Sequence, residues 1–190
     1  TQAINMLNKN FDLDIQDFVT VDFAAIAQTI DALGGIDIEI KEEEVKPINK
    51  FIYETAKVAQ KNPKEIKQAG LQHLDGVQAT TYARIRSTAG GDFTRTERQR
   101  IVLQAAFDKV KTADWATVNN IIQTVMPQLA TNIDMADLIP LARQLANFHI
   151  GDTKGFPMAR GEARVGKYGD CVIPQTLVSN VSELHQFLFG

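Results

Sequence analysis

Residues 36–40 read Ile-Asp-Ile-Glu-Ile. Strict alternation of isoleucine with a carboxylate sends the apolar side chains to one side of an extended chain and the acids to the other. The segment therefore reads as a strand with one covered face and one wet face. Just before it, residues 23–33 carry apolar side chains at helical spacing and run into Gly34-Gly35, a pair suited to the left-handed turn that closes a helix. The same mixture continues along the chain. Residues 2–9 read as helix and 18–21 as a short strand. Glu42-Glu43-Glu44 reads as a solvated charge run, and the lysine-rich stretch 45–69 as a surface helix using Phe51, Ile52, Ala56 and Val58. Asp75-Gly76 opens a helix running to about Tyr82, and a polar, glycine-rich loop covers 87–92. Helices are expected over 95–111, 115–125, 135–147 and 176–188, and strands over 149–158 and 171–173. This pattern predicts an α/β or α+β fold, a layered domain with a central mixed sheet flanked by helices.

Size and charge narrow the function. The 190 residues, 44% hydrophobic and 23% charged, suit one domain with a real core. A net charge of −3 argues against nucleic acid as a partner, which normally requires a basic surplus. The longest uncharged run, residues 115–133, holds Asn119, Asn120, Gln123, Pro127 and Gln128 and is not a membrane span. The single cysteine, Cys171, sits in the apolar run Cys171-Val172-Ile173 and reads as a small buried hydrophobe. His73, His149 and His185 show no metal-ligand spacing. Ser87 lacks the flanking glycines of a nucleophile elbow, and Ala89-Gly90-Gly91-Asp92 lacks the lysine of a phosphate loop. Asp22 and Asp31 read as a strand-end and a helix-face residue.

The chemistry concentrates between residues 84 and 100. Five of the eight arginines, Arg84, Arg86, Arg95, Arg98 and Arg100, fall there beside Asp92 and Glu97. That segment carries +3, which leaves −6 for the rest of the chain. No lysine interrupts it, and arginine without lysine favours bidentate recognition of phosphate or carboxylate. With Tyr82 to Arg86 extended, Arg84 and Arg86 leave one face. Thr94-Arg95-Thr96-Glu97 matches a capping box, which makes Thr94 the cap and Arg95 the first helical residue. On a helical wheel, Val102, Leu103, Ala106, Phe107 and Val110 then form an apolar stripe, with Arg95 and Gln99 in its middle. An anion at the positive end of a helix, leading into an apolar groove, is the ligand such a stripe suits.

These motifs resemble the LytR–CpsA–Psr family. The resemblance rests on Gly70-Leu71-Gln72-His73-Leu74-Asp75-Gly76-Val77-Gln78-Ala79, on Tyr82-Ala83-Arg84-Ile85-Arg86, and on residues 92–100, Asp92-Phe93-Thr94-Arg95-Thr96-Glu97-Arg98-Gln99-Arg100. Val21-Asp22-Phe23 and Ile30-Asp31-Ala32-Leu33-Gly34-Gly35-Ile36 resemble the segment that precedes them in the family. The resemblance covers residues 1–111. It implies an extracytoplasmic phosphotransferase, mainly of Gram-positive bacteria, that attaches polyprenyl-diphosphate-linked glycopolymers of teichoic acid or capsule type to peptidoglycan. It implies Mg²⁺ as cofactor of the complete domain, held by upstream aspartates that this chain does not contain. It also implies a membrane anchor ahead of them, and an apolar cavity for the lipid. Carried over, Arg84, Arg86 and Arg95 hold the diphosphate, with Asp92 and Gln99 as polar partners and Arg98 in the same motif. Val102, Ala106 and Val110 line the lipid side. No metal ligand is assigned in this chain, and Asp22 and Asp31 are not placed in that role. Because the chain opens on a helix-like pattern rather than a start methionine, the expectation is a single domain cut at its N-terminus, inactive by itself. A non-catalytic glycopolymer-binding module, and the transcriptional attenuator of the family's older description, are the alternatives.

Overall fold

In the computed structural model, residues 2–86 and 91–190 are described, apart from the side chains of Gly91, Asp92 and Met135. The elements are α1 (Gln2–Phe11), β1 (Val19–Thr20), α2 (Phe23–Ala32), β2 (Ile36–Ile40), α3 (Glu42–Val58), β3 (Gly70–Leu74), α4 (Gly76–Arg84) and α5 (Gly91–Thr112), followed by α6 (Trp115–Thr124), β4 (Ala130–Thr131), α7 (Met135–Arg143), β5 (Arg160–Arg164), β6 (Asp170–Pro174) and α8 (Leu177–Phe189). The expected mixture of helices and strands is present. Among the described residues the strands pair two by two, β1 with β4, β2 with β3 and β5 with β6, all antiparallel. The chain divides into two compact units, Asp17–Phe148 and a second built from the residues up to Gln16 together with His149–Gly190.

The larger unit is organised by the isoleucine alternation. Ile36, Ile38 and Ile40 are all buried while Asp37 and Glu39 stay exposed. β3 pairs with β2 from Ile36 opposite Leu74 to Ile40 opposite Gly70. This strand escaped the sequence reading because its alternation, Gly-Leu-Gln-His-Leu, buries only Leu74. Ile30, Ile48, Ile66, Tyr82 and Val102 pack with the β2 isoleucines. Each such side chain contributes roughly 1.5–3 kcal/mol on burial.

Two readings change here. Asp22 is the N-cap of α2, its carboxylate accepting from Ala25 N at 2.7 Å, rather than a strand end. The 45–69 stretch holds a core helix, not a surface one: Ile48, Ile52, Thr55 and Ala56 of α3 are buried. Lysine-rich composition concealed a four-residue apolar spacing whose lysines lie on other faces. At the end of α2, Gly34 (φ 79°) and Gly35 (φ 94°) turn the chain left-handed as expected, with Gly35 N donating to Ile30 O at 2.9 Å.

α4 is seated on α2 by a direct backbone approach. Asp75 and Gln78 cap each other reciprocally at 2.9 Å, and Gly76 N donates to the Asp31 carboxylate at 2.6 Å. Asp31 also pairs with Lys61. A Cβ on Gly76 would lie 1.9 Å from Ala27 O. Nearby, His73 bridges two acceptors, with Nδ1 2.6 Å from Asp37 Oδ1 and Nε2 2.7 Å from Gly34 O.

In the smaller unit the strand expected over 149–158 lies instead at Arg160–Arg164. Pro157 has no backbone N–H to give a ladder. Ala159 is held by a side chain: buried Asn180 of α8 accepts from Ala159 N at 3.1 Å and donates to Ala159 O at 2.9 Å. Phe11 packs against Phe156 with ring centroids 4.7 Å apart and the planes tilted by 58°, and His185 Nε2 lies 2.8 Å from Phe11 O. Cys171 is half-buried rather than a core residue, and His149 is exposed.

Gly76→Ala is expected to destabilise the fold by at least ~1–3 kcal/mol in urea denaturation, because the contact is with backbone that no rotamer change relieves. A second expectation concerns pH. Hydrogen bonds to Asp37 and to the Gly34 carbonyl hold the His73 pKa above its ordinary value, against desolvation and Lys109. The stabilisation from protonated His73 is complete below the unfolded pKa of about 6.5 and is lost as pH rises through the raised folded value. Denaturation midpoints should therefore fall with pH above about 6.5, and His73→Gln should flatten that slope.

Candidate anion site and its buried clamp

The arginines lie at the junction of two helices. α4 runs on to Arg84, and Ile85 leaves it in extended conformation (φ −63°, ψ 135°). Arg84 and Arg86 are therefore not neighbours on one face of an extended segment. Helical Arg84 reaches α3 instead. Its Nη1 donates to Thr55 Oγ1 at 3.1 Å and its Nη2 to Glu54 Oε1 at 3.2 Å, and its guanidinium carbon lies 4.4 Å from the centre of the Phe23 ring. Arg86 is exposed. The extended reading failed because α4, capped and buried along Val77, Ala79, Thr80, Thr81 and Tyr82, has enough contacts to continue two residues past Tyr82.

α5 begins at Gly91, so Thr94 is inside the helix rather than its cap. A capping box is worth only about 1 kcal/mol and does not stop a helix that extends upstream of it. The buried stripe is also rotated from the one the wheel suggests. Arg98 is 1% and Val102 6% exposed, and Ala105 and Ala106 pack against the core. Leu103 is 62% exposed and Gln99 is exposed, while Arg95 and Val110 are half-buried. The expected stripe is off by roughly a quarter turn at 100° per residue. Hydropathy treats arginine as a surface residue, and here an arginine is the centre of the buried face.

Its partner is Glu44, 2% exposed. Glu44 Oε1 accepts from Arg98 Nε at 2.8 Å, and Oε2 accepts from Lys41 N at 2.9 Å. Arg98 Nη1 donates to Ile85 O at 3.2 Å. The Arg98 guanidinium lies 5.8 Å from the Tyr82 ring. Burial, helped by the Glu44 charge and opposed by Arg98, pushes the Tyr82 hydroxyl up to about 12, so it stays protonated. Glu44 is thus no member of a solvated charge run. The signal for it was its register: it lies four residues before Ile48 and eight before Ile52, on the apolar face of α3.

Arg98 and Val102, expected on the substrate side, are buried, and Ala106 is half-buried against the core. Arg84, Arg86, Arg95 and Gln99 remain at the junction with accessible surface. The side chain of Asp92 and residues Ser87, Thr88, Ala89 and Gly90 lie outside the described residues. Among the described residues no three His, Cys, Asp or Glu converge as a metal cage. Asp22 caps α2, and Asp31 holds Gly76 and Lys61. These carboxylates do not fit the Mg²⁺ that the resemblance implies.

Comparison with known proteins gives the family. The model described as the LytR_cpsA_psr family matches residues 1–169. The chain belongs to that family. It is 26% identical over 149 residues to the polyisoprenyl-teichoic acid–peptidoglycan teichoic acid transferase TagV of Bacillus subtilis, covering 77% of this chain and 36% of TagV. It is 27% identical over 140 residues to TagT of the same organism, a transferase of the same description, covering 73% of this chain and 41% of TagT. The chain thus spans about two fifths or less of these relatives. Among solved structures, protein gbs0355 from Streptococcus agalactiae superposes with a TM-score of 0.76 at 22% identity, over 97% of this chain and 61% of that one. TagT bound to LIIa-WTA superposes with a TM-score of 0.70 at 21% identity, over 97% of this chain and 66% of TagT. At these identities the structural likeness establishes the fold.

Glu44→Ala is expected to cost about 3–5 kcal/mol of folding stability, because it leaves Arg98 charged and buried without its counter-ion. Chemical denaturation of the variant beside the parent checks this.

Proposed function

We propose that this chain supplies the diphosphate-binding half of an extracytoplasmic phosphotransferase. The enzyme attaches a polyprenyl-diphosphate-linked anionic glycopolymer, of teichoic acid or capsule type, to peptidoglycan in the cell envelope. The observation that carries the reading is the tie between Ile85, which stands between Arg84 and Arg86 at the exit of α4, and Arg98 of α5, the helix that also carries Arg95. Arginine-only recognition at a helix start suits a diphosphate, and the names of TagV and TagT give the relatives a polyisoprenyl-linked teichoic acid to transfer to peptidoglycan.

In the reaction, a peptidoglycan hydroxyl oxygen forms a bond to the phosphorus that carries the glycopolymer. The bond from that phosphorus to the polyprenyl phosphate oxygen breaks, polyprenyl phosphate leaves, and the hydroxyl proton is released. The arginines neutralise charge on the diphosphate and orient it, which is most of what a protein contributes to phosphoryl transfer. The lipid tail then lies along the flank of α5 that carries Gln99, Leu103 and Val110, rather than along Val102 and Ala106. Mg²⁺ and a membrane anchor belong to this reading of the complete enzyme. No described helix here is long and apolar enough to cross a membrane.

Calorimetry with two probes tests it. Arg95→Ala should weaken both inorganic pyrophosphate and farnesyl diphosphate by about tenfold or more, as expected for a lost charge-assisted contact. Leu103→Asp should weaken farnesyl diphosphate alone. Unchanged affinity of a folded Arg95→Ala variant for both probes would sink the headgroup assignment. Unchanged farnesyl diphosphate binding by Leu103→Asp would remove the tail from this flank.

A further inference from the structure

We infer that Glu44 and Arg98 are positioning residues: their buried ion pair clamps the end of α4 against α5 and so sets the spacing of the arginines that meet the diphosphate. The inference rests on the headgroup reading above and adds to it two residues that touch no ligand.

The geometry is that of a fork held at both tines. Arg98 Nε donates to Glu44 while Nη1 donates to Ile85 O. Ile85 is the residue between Arg84 and Arg86, and it lies 13 positions from Arg98 in sequence. One guanidinium therefore ties the residue at the exit of α4 to the second turn of α5. The planar fork makes the two donors a rigid pair, which a lysine ammonium does not reproduce. Ile85 is also where the backbone passes from helical to extended, and a carbonyl at a helix end has no partner within the helix. Arg98 supplies that partner and fixes the direction in which the chain leaves.

The other end of the clamp is equally fixed. The second oxygen of Glu44 accepts from Lys41 N, at the junction of β2 and α3. The clamp is therefore anchored to the strand that carries the core isoleucines. Both side chains are at most 3% exposed. A buried ion pair adds little net stability over a well-packed apolar pair. What an apolar pair cannot supply is a directed donor to Ile85 O.

Two variants separate position from stability. Glu44→Met with Arg98→Met replaces the pair by apolar volume, and Arg98→Lys keeps the charge for Glu44 but loses the fork. Each is compared with the parent chain by circular dichroism melting, by calorimetry with inorganic pyrophosphate, and by ¹⁵N relaxation of the Ile85 and Arg86 amides. The double variant is expected to stay folded, to show raised mobility confined to Ile85 and Arg86, and to bind pyrophosphate about tenfold more weakly as preorganisation is lost. Arg98→Lys is expected to weaken binding by about threefold with the same local mobility. A folded variant with parent-like amide order, or with parent-like affinity, overturns the inference. So does failure of both variants to fold, which would make the pair purely structural. If the parent itself does not bind pyrophosphate, the headgroup reading fails first. If the parent binds and folded variants bind equally, only the clamp fails.

Discussion

The Glu44–Arg98 ion pair is the contact on which the arrangement of the larger unit turns. It joins the start of α3, the exit of α4 and the second turn of α5 through three hydrogen bonds of 2.8 to 3.2 Å. Each of these elements is separately docked on the isoleucines of β2, but apolar packing alone leaves rotation and sliding weakly specified. Directed donors remove that freedom. Tyr82 lies beside the pair, its ring facing the guanidinium and its hydroxyl kept protonated by burial.

The arginines divide the labour accordingly. Arg98 is withdrawn into the interior. Arg84 is half engaged, held by Thr55, Glu54 and the Phe23 ring, and Arg86 is exposed. A cluster of unrestrained like charges would splay apart. Here two members are braced by neighbours of opposite charge or by an aromatic face, which lowers the repulsion left for a ligand to neutralise.

Much of this was readable from the chain and some was not, for definable reasons. The Ile36–Ile40 strand, the Gly34-Gly35 turn and the Asp75 cap follow from local stereochemistry, and they stand where the residues put them. The arginine-rich segment was legible as a place, because charge composition needs no fold. Its internal geometry was not. The α5 stripe was centred on Arg95 and Gln99 with Arg98 left off the buried face, and the burial of Arg98 depends on Glu44, 54 residues away. No local window contains both. β3 was missed because only Leu74 of its five residues is buried, and α3 was underrated because its lysines masked Ile48.

The bare backbone contact at Gly76 has a mechanical consequence. α4 has nine residues and is about 13 Å long at 1.5 Å per residue. Its first residue rests on Ala27 with no side chain between them, and its last is Arg84. The helix is a lever with its fulcrum at the glycine. A tilt of about 10° there carries the guanidinium end by roughly 2 Å over that length, enough to miss a phosphate oxygen. A methyl group added at position 76 acts on the far end of the helix by leverage, so misalignment of the arginine junction can originate a full helix length away from any ligand.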